Sequence, residues 1–245
     1  MQPDWPAPAT VGAWMSTREG GVSAPPWASL NLGAAVGDDA AHVAVNRSRF
    51  QAQLEGACPV YLRQVHGARV LRLEPSTLSD RAEADAAVTT LPGLACTIQV
   101  ADCLPVLLCD RAGRAVGAAH AGWRGLAAGV IDEAVAAVCA AAGCGAGEVL
   151  AWLGPCIGPR QFEVGDDVRQ AFGCPDTRFA AHTRKDGSRA WLADLAGLAH
   201  DRLRAKGVDA VYLHGACTVE DGSRFFSFRR DGVTGRLAAA VWLRR

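Results

Sequence analysis

The apolar positions along this chain fall into short runs bounded by Gly, Pro, Asp or Arg, a pattern that suits strands more than long helices. Residues 68–73, 86–90, 96–100, 104–109 and 114–119 read as strands with buried Val, Ile and Leu, and 148–153, 208–213, 225–229 and 237–243 read likewise. Between these runs the period changes to that of a helix. Asp38 and Asp39 are placed to cap a helix over 40–54, with Val43, Phe50 and Leu54 on its inner face. Leu126, Val130, Val135, Val138 and Cys139 share one face over 126–142, and Gly143 supplies a C-terminal cap. Leu192, Leu195, Leu198 and Leu203 predict a further helix over 191–206, ended by Gly207. A turn-rich stretch, 17–37, carries Gly20, Gly21, Pro25 and Pro26. Strands come partly in runs and partly separated by helices. That order favours an α+β fold of mixed β-sheets flanked by helices over a doubly wound parallel sheet. No repeat, low-complexity tract or linker divides residues 1–245, so the expectation is a single compact domain.

Composition narrows the class. Of 245 residues, 50% are hydrophobic and 20% charged, and 25 basic side chains balance 25 acidic ones. A nucleic-acid or membrane-surface binder that works by counterion release carries a basic excess, so neither partner is expected. Lys185 and Lys206 are the sole lysines, which makes almost any anion site a guanidinium site. Nine cysteines without a CxxC pair read as reduced thiols of a cytosol. Residues 1–14 hold Pro3, Pro6 and Pro8 and no basic segment leading into an apolar one, and no apolar run is long enough to span a bilayer. The expected location is cytoplasmic. Dinucleotide and P-loop fingerprints (GxGxxG after the first strand, GxxxxGK before Ser or Thr) are missing.

Three polar residues interrupt strand ends beside Gly or Pro, where a rigid sheet hands over to a loop: His66, Cys103 and His120. Two imidazoles and a thiolate form a donor set that suits zinc with one open position, and such a metal makes a hydroxide nucleophile from bound water. The same residues also fit buried core histidines with a small apolar cysteine, or a Cys103 nucleophile with His66 or His120 as base. Spacing alone leaves these open. Arg18, Arg47, Arg124, Arg229, Arg230 and Arg236 lie in loops or at element ends, where a forked guanidinium grips phosphate or carboxylate. The turn at Arg229, Arg230, Asp231 and Gly232 equally fits a solvated hairpin end, and the segment 154–159 a tight turn.

Taken in order, the motifs Gln64-Val65-His66-Gly67, Ala101-Asp102-Cys103-Leu104-Pro105-Val106, His120-Ala121-Gly122-Trp123-Arg124-Gly125, Gly154-Pro155-Cys156-Ile157-Gly158 and Ser227-Phe228-Arg229-Arg230-Asp231-Gly232-Val233-Thr234-Gly235-Arg236 resemble the YfiH family. The same proteins are described as laccase-domain or multicopper polyphenol oxidoreductase proteins. The N-terminal Thr17-Arg18-Glu19-Gly20-Gly21, Ser29-Leu30-Asn31-Leu32-Gly33 and Asn46-Arg47 follow the same pattern, so the resemblance spans the chain. It implies one YfiH-like domain over 1–245, related to Cys-His hydrolase folds. It also implies one zinc on His66, Cys103 and His120, ranked ahead of copper, and a cytosolic monomer or weak homodimer. The implied activity is phosphorolysis of adenosine, inosine, guanosine and 5′-methylthioadenosine, with adenosine deamination as a second reaction. Purine nucleoside and inorganic phosphate would then be the partners. Asp102 is the candidate acid/base residue beside the catalytic His66, Cys103 and His120. Arg47, Arg229 and Arg230 are the candidates for phosphate, and Asn31, Asn46 and Gln64 for sugar or base. Trp123 fits a purine-stacking residue or a core residue. Phe228 departs from the Tyr or His that many members carry before the arginine pair. A Cys-His amide hydrolase acting on peptidoglycan precursors is the second reading. A copper laccase ranks third, because a multicopper site needs more histidines than His42, His182, His200 and His214 add.

Overall fold

The computed structural model describes residues 1–75 and 82–245. In chain order its elements are β1 (Val11–Met15), α1 (Ala40–Gln51), β2 (Cys58–Tyr61), β3 (Val70–Arg72), β4 (Ala86–Thr89), β5 (Leu94–Val100), β6 (Leu104–Asp110) and β7 (Val116–Ala121). There follow α2 (Trp123–Ala128), α3 (Val130–Ala142), β8 (Val149–Leu153), β9 (Glu163–Val164), α4 (Asp166–Ala171), β10 (Phe179–Thr183) and β11 (Arg189–Ala193). The remainder are α5 (Leu195–Ala205), β12 (Ala210–Leu213), α6 (Phe228–Asp231) and β13 (Leu237–Leu243). A six-stranded mixed sheet runs β12-β8-β6-β7-β4-β3, a four-stranded one β1-β13-β5-β2, and a small antiparallel one β10-β11-β9.

Side-chain alternation stacks these into four layers. Along β13, Leu237, Ala239 and Val241 pack with Ile98, Leu107 and Trp152 between the two large sheets. The alternate residues Ala238, Ala240 and Trp242 pack on the other face with Phe50 of α1 and Leu54. β6 divides in the same way, with Leu107 and Cys109 toward the inter-sheet layer. Its Val106 and Leu108 face Val135 and Val138 of α3 and Leu198 of α5. Strands covered on both faces show no polar alternation, which is why the sequence presents them as unbroken apolar runs. The α+β expectation with mixed sheets and flanking helices holds.

Several boundaries differ from expectation for local reasons. The helix expected over 191–206 begins only at Leu195, because the Asp194 carboxylate accepts from Gly197 N and caps it there. Trp191 and Ala193 belong instead to β11, paired with β10 and β9. The helix expected over 126–142 starts earlier and breaks at Gly129, whose φ of 99° ends α2 and opens α3. Residues 225–229 form no strand: Ser227 accepts from Arg230 N and caps the single turn of α6. At one end of the six-stranded sheet, Leu104 lies opposite Ala121 and Pro105 opposite His120, while Ala86 of β4 lies opposite Ala119. That register brings the residues just before β6 and β4 and the end of β7 to one place, and the candidate site lies there.

Candidate metal centre and its cavity

His66 lies in the loop after β2 with φ of 60°, a left-handed conformation that non-glycine residues seldom adopt. The carboxylate of Asp85, fully buried just before β4, holds it there. Its oxygens accept the backbone N–H groups of Val65 at 3.1 Å, His66 at 2.9 Å and Gly67 at 2.7 Å. The same carboxylate lies 2.8 Å from Nδ1 of His120. A carboxylate accepts only, so the His120 Nδ1–H donates to it and Nε2 presents its lone pair on the far side of the ring. Burial pushes the Asp85 carboxyl up, but His120 and the N–H groups of Gly67 and Val65 outweigh it and hold the carboxyl below the usual range.

Cys103 precedes β6, and its Sγ lies 3.8 Å from Nε2 of His66. One donor atom from each of His66, Cys103 and His120 lies within 4.8 Å of the others. A tetrahedral zinc with bonds of about 2.0–2.3 Å spaces its ligands about 3.4–3.8 Å apart, so small side-chain adjustments close this set around one ion. Burial pushes the Cys103 thiol up, yet His120 and then His66 bring it down to about 6. His120 is held up at about 9, where the Cys103 and Asp85 charges overcome its burial. The thiol therefore ionises readily, as a metal ligand must. Gly122 is required by close approach: a Cβ there would stand 2.8 Å from Cδ2 of His66 and 3.0 Å from Sγ of Cys103. Among the described residues these three are the one group with metal-ligand spacing.

The three donors open into a cavity of about 490 Å³, also lined by Gln64, Gln99, Arg63, Arg236 and Phe228. A smaller hollow of about 200 Å³ adjoins it through Ala101, Cys103 and Phe228 and is walled by Trp123, Ile157, Phe162, Leu195, Asp102 and Arg229. Phe228 is 58% exposed, although its neighbours Phe225 and Phe226 are fully buried, so its ring is a wall of both spaces.

The other expected site residues divide. Gln64 reaches the cavity with both ends of its amide on the Gln99 backbone, at 2.8 Å each. Asp102 takes an unusual φ of 93° and accepts from Thr218 Oγ1 and Arg229 N, both at 2.6 Å. Asp102 lines the smaller hollow, as do Trp123 and Arg229. Asn46 is not brought to the cavity: buried completely, it donates to Ser23, Ser29 and Asn31 and accepts from Val22 N. Asn31, equally buried, accepts from Gly33 N and Arg236 N and so braces the cavity wall from behind. Arg47 donates to Leu32 O and lies over the Tyr61 ring, 3.9 Å from its centre. Arg230 is engaged by the carbonyls of Thr218, Val219 and Phe225 and by the Asp231 carboxylate. Neither Arg47 nor Arg230 lines this cavity. Sequence reasoning missed Asp85 and Gln99. An aspartate flanked by Ala84 and Ala86 at the mouth of an apolar run was the available signal.

Fold and site together define a class of layered α+β proteins with a His₂Cys donor set, able to hold one metal ion, at a sheet end. The chain belongs to the multi-copper polyphenol oxidoreductase laccase family, whose model matches residues 12–244. It is 50% identical to a purine nucleoside phosphorylase of Pseudomonas aeruginosa over 99% of this chain and 98% of that one. It is 49% identical to the purine nucleoside phosphorylase YfiH of Escherichia coli over 98% and 97%. Among solved structures, a Neisseria meningitidis protein superposes with TM-score 0.92 at 45% identity, covering 100% of this chain and 99% of that one. YlmD from Geobacillus stearothermophilus gives 0.87 at 31%, covering 97% and 93%. Among the described residues no helix is long and apolar enough to cross a membrane.

Proposed function

We propose that this protein is a zinc-dependent purine nucleoside phosphorylase of the cytoplasm, acting on adenosine, inosine, guanosine and 5′-methylthioadenosine, with adenosine deamination as a second activity. The observation that carries this reading is the His66–Cys103–His120 donor set opening into a cavity that carries the amides of Gln64 and Gln99, beside a smaller hollow walled by Trp123 and Phe162. The names of its relatives supply the substrate class. A nucleoside has a polar sugar and a flat, largely apolar base. Gln64 and Gln99 suit the first, and Trp123, Phe162 and Phe228 the second.

Zinc held by His66, Cys103 and His120 would supply a Lewis acid able to activate water near neutral pH. The protein's own residues do the rest. Asp85 fixes the tautomer of His120 and the loop of His66. Asp102 stands on the base side as the candidate proton carrier. In phosphorolysis the bond from ribose C1′ to the purine nitrogen breaks and its electron pair leaves with the base. A phosphate oxygen bonds to C1′, and the hydrogenphosphate proton passes to the departing base. Deamination adds water at the purine C6 and expels ammonia.

The test is release of free base from inosine and adenosine by metal-replete protein with and without inorganic phosphate. Base and sugar 1-phosphate in equal amounts, only with phosphate, are expected. Equal release in phosphate-free buffer would identify a hydrolase instead.

One geometric fact favours a second reading. Cys103, His120 and Asp85 also stand in the order nucleophile, base and orienting carboxylate, as a thiol amide hydrolase requires. The two differ in their response to chelation. A phosphorylase built on the metal loses activity when zinc is stripped, and a thiol hydrolase does not. The laccase reading has less support, because a multicopper oxidase needs several copper centres and the described residues offer one donor group.

A further inference from the structure

Arg236 is the arginine of the cavity wall whose guanidinium meets no carboxylate among the described residues; it lies over the Phe228 ring, 6.0 Å from its centre. It precedes β13, and its backbone N–H is fixed on Asn31 Oδ1 at 2.8 Å. Its Nη1 donates to the carbonyls of Thr234 and Gly235, both at 3.1 Å, which anchors the guanidinium from one side. The stem is held as well: a Cβ on Gly33 would meet Arg236 Cγ at 2.7 Å. Nε and Nη2, the edge of the fork that binds two oxygens at once, donate to no acceptor among the described residues. Neither atom is sealed from solvent.

Arg236 also lacks a direct ion pair: among the described residues no carboxylate lies within ion-pair distance of it, whereas Arg63, the other arginine of this cavity, pairs with Glu83 at 2.9 Å. Burial works against the guanidinium and lowers its pKa from the usual value; Cys103 and Asp102 supply the counteracting negative charge. A metal cation held by Cys103 would neutralise that thiolate and leave the arginine more in need of an anion. Of the other candidates, Arg47 and Arg230 do not line this cavity, and Arg229 lines the smaller hollow with its Nη1 on the carbonyls of Gln161 and Glu163. A half-buried, preorganised guanidinium with a free two-donor edge in a ligand-sized cavity is an oxyanion site.

We propose that Arg236 is the anion-binding residue of the metal cavity and that its Nε–Nη2 edge takes a tetrahedral oxyanion, inorganic phosphate. As the co-substrate site of phosphorolysis this rests on the function proposed above; as an anion site it stands by itself. Two variants, Arg236→Gln and Arg236→Lys, are compared with the wild type for bound zinc, for calorimetric binding of inorganic phosphate to the metal-replete protein, and for the KM values of phosphate and inosine. The expected result is a KM for phosphate raised at least tenfold in Arg236→Gln and less in Arg236→Lys. Zinc content and the KM for inosine should stay within about twofold. An unchanged KM for phosphate, or an equal rise in both constants, overturns the assignment. If Arg236→Gln does not fold, Arg236→Lys is judged by the same two constants. If the wild type performs no phosphorolysis, the functional reading fails, and the anion site is decided by calorimetry. Phosphate binding weakened tenfold in the variant upholds it, and binding of equal strength in both proteins refutes it.

Discussion

Asp85 shows how much one carboxylate can organise. It satisfies three successive backbone N–H groups, holds His66 in its left-handed conformation and sets the tautomer of His120. Carboxylates that orient metal-ligating histidines are worth about 10–100-fold in metal affinity. Asp85→Asn keeps the size and loses the charge, so zinc affinity, read by competition with a chromophoric chelator, is expected to fall by about that factor. An unchanged affinity would mean that the loop holds its own shape. The three donors were legible in the sequence because each is a polar residue at the end of an apolar run, beside Gly or Pro. Asp85 was not. A short polar residue ahead of a strand is the ordinary mark of a turn, and nothing local says that three N–H groups and an imidazole converge on it. Arg236 and Arg230 illustrate the same limit. Both are loop arginines in the sequence, and only the neighbouring carbonyls and Asp231 show that Arg230 is committed to the fold.

The hairpin of β6 and β7 links Cys103 at its start to His120 near its end, and its turn is set by Asp110. That buried carboxylate accepts the N–H groups of Ala112, Arg114 and Ala115, and Nε of Arg114. Burial raises its pKa, but the N–H of Ala115 and the contacts of Arg114 outweigh this and leave it below the usual value of 3.8. A carboxyl depressed in the folded state stabilises fully above its unfolded pKa, and the contribution drains away as pH falls through the folded one. Asp110→Asn is therefore expected to cost about 1–3 kcal/mol at pH 7, with the gap to wild type narrowing below about pH 4. Urea titrations at the two pH values check this; a gap independent of pH would show that charge is irrelevant to the turn. Long strands such as β6 and β13 were readable because burial on both faces leaves no polar interruption. The boundary between β11 and α5 was not, since leucines at 192, 195, 198 and 203 keep helical spacing straight through a strand and a cap. Short strands such as β1 and β9 carry too few residues for a period to show.

The four-layer stack places two separate apolar interiors on either side of the six-stranded sheet, and a third beneath α1. The sequence indicated sheets and helices but not that two sheets lie face to face, because the layer between them joins residues far apart in the chain, such as Ile98 and Val241 of one sheet with Trp152 of the other. Ile98 is fully buried between the sheets. Ile98→Ala is expected to lower stability by about 2–5 kcal/mol in denaturant titration. A loss below about 1 kcal/mol would mean that the two sheets close over the gap.

β13 has a consequence for how the molecule comes into being. It is the strand that joins β1 to β5, and it also delivers Arg236 to the cavity. While a ribosome is still translating the chain, β1 and β5 wait for their shared partner with apolar edges open, long after both have emerged. Loop closure over such distances is slow. The three candidate donors His66, Cys103 and His120 are in hand well before the wall that completes their cavity. A nascent chain stalled before residue 237 is thus an aggregation hazard, and holding such chains apart during synthesis falls to chaperones.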